Sequence, residues 1–465
     1  MGRDLVLLLT SGCVTAEIQV AADVPSETTP TLPTAPVDPP TFEPEATTWV
    51  DDDLTVTVFP TQLLRVDFTT KTAEAATILV SWSGREGLRV EEDEPSTDHT
   101  LDLLGPPPET EVTVRVELAA DDRTIELVTP PVPEWIPAAH VITEAPDAAS
   151  IGWTLTNIVN HDLRWPASAV IYDAAGAPVW HYTPLPDTFD DRGDTDVRLT
   201  LDQTILIGPA AGDQPPVEVM LDGTRVWEGP VLDPSLHHHF DKLDDGTYLG
   251  LQWVRPTDRV IVFDPDHTEL WSWTAHEHLP GDVPDVRDFL HVNSLTLTDD
   301  ALYVSSRELS CLFKVDPITG EVRWRLGRDL DFTLLAGTWF EGQHDPELQP
   351  DGHWLVYDNT LEGPSRVVEL AIDEVAMTAE VVWEFPGEAQ VDAWYTEGWF
   401  SPIWGDAERR SNGDVRVTNG NRSEKRSRIF DVRHDGTVAW AIDFDVGVGV
   451  YRSEPLQVVG GRPRR

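Results

Sequence analysis

The sequence is poor in basic residues. Its 33 Lys and Arg face 82 Asp and Glu, which gives a formal net charge of −49 at pH 7. A surface this acidic repels nucleic acid and anionic lipid headgroups, so neither is expected as a direct partner. Long apolar runs are also missing, since no stretch approaches the ~20 consecutive apolar residues that span a bilayer. Together these features indicate an acidic, well-solvated, exported protein.

Cysteine is scarce as well, with only Cys13 and Cys311 in the chain. A disulfide between the extreme N-terminus and a late strand is not expected. Residues 5–9 form a short apolar run, and the small residues 10–12 directly precede Cys13. This segment resembles a bacterial lipoprotein cleavage site, which implies that residues 1–13 are a signal segment and that Cys13 is acylated. We therefore expect a lipoprotein, anchored to a membrane by its lipid alone and facing the periplasm or the cell exterior.

Residues 14–48 are predicted to be a linker. From residue 22 to residue 48 they are rich in Pro, Thr and acidic residues. Such a composition cannot bury enough apolar surface to offset the entropy lost on ordering, so the segment is expected to be extended.

Residues 49–131 contain short alternating apolar runs, among them LTVTVFP, ATILVSW and TEVTVRVEL, with no useful helical periodicity. Strands at this spacing predict a small antiparallel β-sandwich. The Pro-rich turn and following strand of residues 104–114 resemble the fibronectin type III signature, so we expect a fibronectin type III-like spacer.

Residues 132–463 contain an internal repeat. Six times a β-run and a turn lead to an apolar residue and a tryptophan, and these tryptophans are Trp180, Trp227, Trp271, Trp324, Trp383 and Trp440. Four short strands per ~50 residues with a periodic aromatic are typical of a propeller. The sequence therefore predicts an all-β fold with a six-bladed β-propeller, in which the tryptophans pack between blades.

Three histidines of this region share a register. His238 and His344 each lie eight residues before the glycine of an Asp-Gly turn, and His291 lies nine residues before Asp300 in the corresponding turn. Equivalent positions of a propeller are related by rotation about its axis, so we expect the three side chains to converge on the central channel.

The neighbours of these histidines are polar and include two arginines. His237 precedes His238, Asn293 follows the second histidine, and Arg307 and Arg366 follow the next strands. Imidazoles and guanidinium groups suit a tetrahedral oxyanion. A zinc or copper site is the competing interpretation. The shortage of cysteines and carboxylates at ligand spacing favours the anion, and no metal or cofactor is predicted.

The segments HHHFDKLDDG, DFLHVNSLTL and GQHDPELQPDGHWLVYDN resemble the bacterial arylsulfate sulfotransferase family, over roughly residues 140 to 455. The resemblance implies a propeller that moves a sulfuryl group from a phenolic sulfate ester to a phenol through a sulfated histidine. The family carries that histidine in a later blade, and the corresponding register position here is Gly405.

The resemblance therefore leaves the three aligned histidines as candidate carriers. The predicted catalytic residues are His238, His344, His291 and Arg366, with Arg366 as the oxyanion partner. The predicted substrate-binding residues are His237, Asn293 and Arg307. The alternative is a non-catalytic, ligand-binding propeller lipoprotein that recognises an anionic or sulfated molecule.

The linker composition generates a first prediction. Backbone amides of residues 22–48 should exchange with solvent at nearly the rate of an unfolded chain, because no packed core is available to protect them. Hydrogen–deuterium exchange followed by mass spectrometry measures this, and strong protection across the stretch would contradict it.

Overall fold

The structure, a computed structural model, describes most of the chain from residue 45 onward. The described residues are 45–82, 85–92, 94–119, 121–145, 153–160, 165–184, 196–209, 214–279, 288–360, 363–387, 400–420, 427–459 and 462–464. They form β-strands and one four-residue helix, α1 (Ala275–His278), so the protein is all-β as the sequence predicts. None of their helices has the length and apolarity needed to cross a membrane. The predicted signal segment, Cys13 and the linker up to residue 44 lie outside the described residues.

The N-terminal part forms two four-stranded antiparallel sheets. Their strands are β1 (Thr47–Asp51), β2 (Leu54–Val58), β3 (Leu64–Glu74), β4 (Thr77–Trp82), β5 (Arg85–Glu91), β6 (Ser96–Leu103), β7 (Glu111–Glu117) and β8 (Asp122–Val128). The orders are β1-β2-β3-β6 and β5-β4-β7-β8. Alternate residues of both sheets, such as Val56 and Val114, share one apolar core, which explains the alternating sequence pattern. The first strand begins at Thr47, two residues before the predicted boundary.

Six further sheets follow, numbered here in the order in which most of their strands occur along the chain. Sheet 1 contains β10 (Trp153–Asn160), β11 (Ser168–Tyr172), β12 (Pro178–Tyr182), β34 (Val448–Gly449), β35 (Ser453–Val459) and β36 (Arg462–Arg464). Sheet 2 contains β13 (Val197–Leu199), β14 (Ile205–Ile207), β15 (Val217–Val219) and β16 (Arg225–Glu228). Sheet 3 contains β17 (Leu236–Lys242), β18 (Tyr248–Val254), β19 (Thr257–Phe263) and β20 (Glu269–Thr274).

The remaining three sheets have the same hairpin organisation. Sheet 4 contains β21 (Val292–Leu297), β22 (Leu302–Ser306), β23 (Cys311–Val315) and β24 (Val322–Leu326). Sheet 5 contains β25 (Thr333–Ala336), β26 (His344–Leu348), β27 (Trp354–Asp358), β28 (Arg366–Asp373) and β29 (Thr378–Phe385). Sheet 6 contains β9 (His140–Glu144), β30 (Asp406–Arg409), β31 (Val415–Asn419), β32 (Arg428–Val432) and β33 (Val438–Asp443).

The two ends of this region exchange strands. The early strand β9 pairs with β33 in sheet 6, and the late strand β35 pairs with β10 in sheet 1. One strand of each sheet also touches a strand of a neighbouring sheet: β17 contacts β21, β21 contacts β26, β26 contacts β30, β30 contacts β35, and β35 contacts β13. These strands therefore lie close together in the interior of the region.

Five of the six repeated tryptophans donate the indole N–H to a carbonyl in the hairpin turn of a neighbouring sheet. The bonds are Trp180 to Leu221 (2.7 Å), Trp227 to Pro265 (3.0 Å), Trp271 to Pro317 (2.9 Å), Trp383 to His434 (2.8 Å) and Trp440 to Ala174 (2.9 Å). They link sheet 1 to 2, 2 to 3, 3 to 4, 5 to 6, and 6 back to 1. Sheets 4 and 5 share an apolar cluster around Trp324 and Trp354 instead. The repeat thus joins one sheet to the next.

This contrast between tryptophans generates a stability prediction. Trp440 is fully buried and bonded, whereas the buried indole nitrogen of Trp324 has no hydrogen-bond partner among the described residues. Trp440→Phe should therefore lower the free energy of unfolding by about 1–3 kcal/mol more than Trp324→Phe, because only the first removes a donor from its carbonyl. Urea unfolding of both variants measures the difference, and equal losses would contradict it.

Candidate active site

Irregular backbone positions the three histidines in three successive sheets: His238 lies in β17, His291 directly before β21, and His344 at the start of β26. The register shifts after His237 in β17, after Val292 in β21 and after His344 in β26. Left-handed backbone accompanies each shift, with φ of 54° at His238, 46° at His291 and 43° at Asp345. A bulge of this kind bends the strand and re-aims its side chains.

The structure brings His238, His291 and His344 together. The rings of His238 and His291 lie 4.9 Å apart between centroids, nearly perpendicular to each other. His344 lies close enough to both for its charge state to be coupled to theirs. The ring of Tyr451 lies 6.0 Å from that of His238. Three imidazoles from the region of sheets 3, 4 and 5 thus lie close to one another in the interior.

Burial keeps two of these imidazoles neutral. Burial is the main cause that lowers the pKa of His238 well below its usual value, and the neighbouring His291, His237, His344 and Arg452 lower it further. The pKa of His344 is lowered in the same way, by burial first and then by the charge of Arg307. Both rings are therefore neutral at pH 7, the form in which an imidazole nitrogen has a lone pair.

Both ring nitrogens of His344 are engaged. Its Nδ1–H donates to the Oδ1 of Asn359 (2.7 Å), and the backbone N–H of Trp404 donates to its Nε2 (3.3 Å). The amide nitrogen of Asn359 donates to the carbonyls of Ser401 and Trp404, which orients its oxygen toward the histidine. The tautomer of His344 is thus set by Asn359 and by backbone groups of Ser401 and Trp404, which precede β30.

Arg452, directly before β35, is a site residue that the sequence reasoning missed. Its contacts are the Asn293 carbonyl (2.6 Å from Nη2), Asp196 Oδ2 (3.1 Å from Nη1), Asp345 Oδ2 (3.2 Å from Nε) and His239 Nδ1 (3.4 Å from Nη1). Its charge acts on His238 and His344. The histidines were recognised by their distance from a turn of the repeat. Arg452 precedes no Asp-Gly turn, because β35, the strand that follows it, joins sheet 1 from the C-terminal part of the chain.

Two predicted substrate-binding residues lie in the same interior. Arg307 donates its backbone N–H to the carbonyl of His291 (3.1 Å), and its Nη2 to the carbonyl of Pro402 (3.1 Å). Its buried Nε has no hydrogen-bond partner among the described residues. Asn293 is fully buried and donates to the carbonyl of Gln343 (2.7 Å). The Nη1 of Arg307 pairs with Glu308, and the charge of Arg307 lowers the pKa of His344. Asn293 joins sheets 4 and 5.

Arg366 is held by other partners. Its Nε donates to Asp358 (2.8 Å), its Nη1 to Glu384 (3.0 Å), and its Nη2 to the carbonyls of Thr338 and Trp339 (3.1 Å each). Asp358 faces it directly across the β27–β28 pair. The role of Arg366 as oxyanion partner stays a prediction, whereas Arg452 and Arg307 are the guanidinium groups whose charges act on the histidines.

Carboxylates gather on the other side of Arg452, around a cavity of about 410 Å³. Burial raises the pKa of Asp345 and Asp406, and it raises that of Glu347 to about 7. Burial also acts on Asp196, but Arg198 and Arg452 outweigh it and lower the pKa of Asp196 to about 2. Asp196 is therefore the ionised partner of Arg452, while burial drives neighbouring carboxyl groups toward their protonated form.

Within the described residues, ligand-type side chains come close enough to hold a metal ion at Asp351, His353 and Glu369. This group lies on the β26–β27 hairpin and the adjacent β28. Arg409 already pairs with Glu369.

Gly405 occupies the register position, eight residues before Gly413, at which the resemblance led us to expect a late-blade histidine. Its φ is 117°, and a Cβ atom there would lie 2.3 Å from the ring of Tyr357. Its N–H donates to the carbonyl of Tyr451 (3.3 Å). The aromatic ring thus fills the space that a side chain at 405 would need.

The chain is all-β, and its interior gathers three imidazoles whose pKa values or ring contacts couple them to one another and to two guanidinium groups. The sequence model of the arylsulfotransferase (ASST) family matches residues 141–438, more than half of the chain. The chain belongs to this family. No curated protein matches the sequence.

Several solved structures are similar to the chain at low identity. One is a protein of unknown function from Bacteroides caccae, with 12% identity and a TM-score of 0.44, covering 65% of this chain and 98% of that one. Another is TolB from Acinetobacter baumannii, with 12% identity and a TM-score of 0.39, covering 75% and 80%. The β-propeller domain of Myceliophteria thermophila Cps50 (Swd1) has 11% identity and a TM-score of 0.38, covering 69% and 91%.

The surroundings of Gly405 generate a third prediction. Gly405→Ala should destabilise the protein about 1–3 kcal/mol more than Gly413→Ala, because the new Cβ would overlap the ring of Tyr357. Gly413 is the matched control: its φ is 90°, but nothing lies within 4 Å of its Cβ position. Both variants share the cost of a left-handed alanine, about 1–2 kcal/mol. Equal unfolding free energies in urea would overturn the assignment of this space to Tyr357.

Proposed function

We propose that this protein transfers a sulfuryl group from an aryl sulfate to a phenol, with His238 as the transient carrier. The observation that carries the proposal is the pair of neutral imidazoles, His238 and His344, with the charges of Arg452 and Arg307 acting on them. Membership of the arylsulfotransferase family supports the same substrates.

We also propose the finer architecture. Sheets 1 to 6 are the blades of a six-bladed propeller, supported by the five indole bonds that join neighbouring sheets. The two N-terminal sheets are a fibronectin type III-like spacer, supported by their shared core. The lipid anchor at Cys13, and a location at the membrane facing the periplasm or the cell exterior, remain proposals from the sequence.

The chemistry fits these side chains. The Nε2 lone pair of His238 attacks sulfur, the bond from sulfur to the aryl oxygen breaks, and its electron pair leaves with the phenolate. By analogy with phosphoryl transfer, charge spreads over the three sulfuryl oxygens, so fixed positive charge lowers the barrier. Arg452 and Arg307 supply that charge. In the second half-reaction a phenol attacks the same sulfur and His238 regains its electron pair.

The other two histidines suit different roles. His344 has both nitrogens engaged, which suits a positioning residue. His291 is partly exposed, and its Nδ1 lies 2.6 Å from the carboxylate of Asp288. That carboxylate holds the Nδ1–H, so the lone pair of His291 is on Nε2, where it accepts the proton of the incoming phenol.

The second candidate function is a non-catalytic site for an anionic or sulfated ligand. It is favoured by Gly405, since the family's late-blade histidine cannot be accommodated beside Tyr357. The same guanidinium groups would then bind the anion without a covalent step.

A covalent assay tests the proposal. Intact mass spectrometry after brief exposure to an aryl sulfate at neutral pH should detect one added sulfuryl group, together with released phenolate. His238→Ala should abolish the adduct, because it removes the nucleophile. His344→Ala should retain the adduct but slow its formation, by about 100- to 1000-fold if its effect matches that of one lost oxyanion-site group.

His353→Ala is the control, since His353 is a histidine of the β26–β27 hairpin that pairs with Glu369. Arg452→Gln and Arg366→Gln, compared in the same assay, separate the two arginine assignments. Wild-type protein that gains no mass and releases no phenol with several aryl sulfates would leave the binding function as the better one.

A further inference from the structure

We propose that Asp258 and His237 are positioning residues that set the tautomer of His238, so that its lone pair lies on Nε2. The proposal rests on the proposed function for its consequence in turnover, but the tautomer itself is a property of the resting protein. Asp258 lies in β19, outside the register of histidines, and no sequence pattern singled it out.

Three side chains form a chain of contacts. The Nε2 of His237 lies 3.2 Å from the Oδ1 of Asp258, and the Nδ1 of His237 lies 2.8 Å from the Nδ1 of His238. The side chains of His237 and Asp258 are only 1% and 3% exposed. This contact does not meet hydrogen-bond geometry. Neither atom has a hydrogen-bond partner among the described residues. Two buried polar atoms that face each other at this distance have only each other to satisfy them.

The direction of each contact follows from the chemistry of the groups. An ionised carboxylate only accepts, so the proton of neutral His237 is on Nε2 and its Nδ1 carries the lone pair. The contact between the two Nδ1 atoms then requires that His238 donate its Nδ1–H. The lone pair of His238 is consequently on Nε2. Trp253 stacks on His237 with 4.2 Å between ring centroids, which holds the plane of the relaying ring.

The same chain of contacts handles the proton during transfer. When Nε2 of His238 forms its bond to sulfur, the ring still carries the Nδ1–H and becomes cationic. That proton passes to Nδ1 of His237, which becomes an imidazolium beside the carboxylate of Asp258. On transfer of the sulfuryl group to the phenol, the proton returns to His238. No proton is gained or lost over the cycle by these three residues.

A backbone N–H group orients the side-chain amide in the variant Asp258→Asn. The N–H of Val292 donates to the Oδ2 of Asp258 (3.0 Å). In Asp258→Asn the amide oxygen remains on this N–H, so the NH₂ group points at His237 and donates to its Nε2. His237 must then carry its proton on Nδ1, and His238 must carry its proton on Nε2. The substitution inverts both tautomers with almost no change in volume.

Nitrogen-15 NMR of the full chain labelled at histidine tests the wild-type state directly, because protonated and lone-pair imidazole nitrogens resonate far apart. Signals are assigned with His237→Gln and His238→Gln variants. At neutral pH we expect a protonated Nδ1 on His238 and a protonated Nε2 on His237. A protonated Nε2 on His238 in the wild-type protein would overturn the proposal, and this measurement needs no turnover.

Asp258→Asn provides the second reading. We expect both tautomers to invert and kcat to fall by about 10⁴-fold with little change in KM, the size of effect seen when a carboxylate that sets a catalytic imidazole tautomer becomes an amide. The matched control is Glu92→Gln, which alters the buried pair of His99 and Glu92 (2.7 Å) in the N-terminal sheets. It should change neither the His238 signals nor kcat.

The outcomes separate the two proposals. Wild-type tautomers as expected in a protein without sulfuryl transfer would sink the enzymatic function and leave the positioning by Asp258 intact. An active enzyme whose tautomers and kcat are unchanged in Asp258→Asn would overturn the positioning and leave the enzymatic function intact.

Discussion

The structure depends on one buried guanidinium. Arg452, directly before β35 of sheet 1, reaches Asp196 beside sheet 2, His239 in sheet 3, Asn293 in sheet 4 and Asp345 in sheet 5. A buried charge is tolerated only when it is paired and hydrogen-bonded, so these contacts must all form together. The peripheral tryptophan bonds fix the sheets at their outer turns, and Arg452 fixes them at the centre. Strand exchange between sheets 1 and 6 ties the two ends of the region together.

The same charge shapes the chemistry of the site. A guanidinium beside buried imidazoles disfavours their protonation, so His238 and His344 remain neutral in a protein of strongly acidic composition. The interior next to them carries the positive charges of Arg452 and Arg307. Beyond Arg452 it becomes a region of carboxyl groups whose pKa values burial raises. Arg452 therefore lies between a part of the interior that contains the histidines and a part that is rich in carboxyl groups.

The three imidazoles of the interior come from segments other than that of Gly405. Tyr357 fills the space next to Gly405, and the imidazoles lie instead on sheets 3, 4 and 5, where bulges direct them inward. Each imidazole has a different fixed neighbour: His237 for His238, Asp288 for His291, and Asn359 for His344. Similar side chains thus acquire different fixed neighbours and different exposure: His344 is fully buried, whereas the side chain of His291 is partly exposed.

Local patterns in the sequence predicted much of this structure. The all-β class follows from the alternating runs, the linkage of the six sheets from the repeated tryptophans, and the convergence of the histidines from their shared register, because each is a periodic property of neighbouring residues. Arg452, Asp258 and the space around Gly405 depended on the tertiary structure. Arg452 reaches the centre on a strand that pairs with residues about 300 positions earlier. Asp258 meets His237 across two strands, and only the folded chain places the ring of Tyr357 against Gly405. Contacts between residues so distant in sequence produce no periodic pattern in the sequence. They could be identified only from the packing of the folded chain.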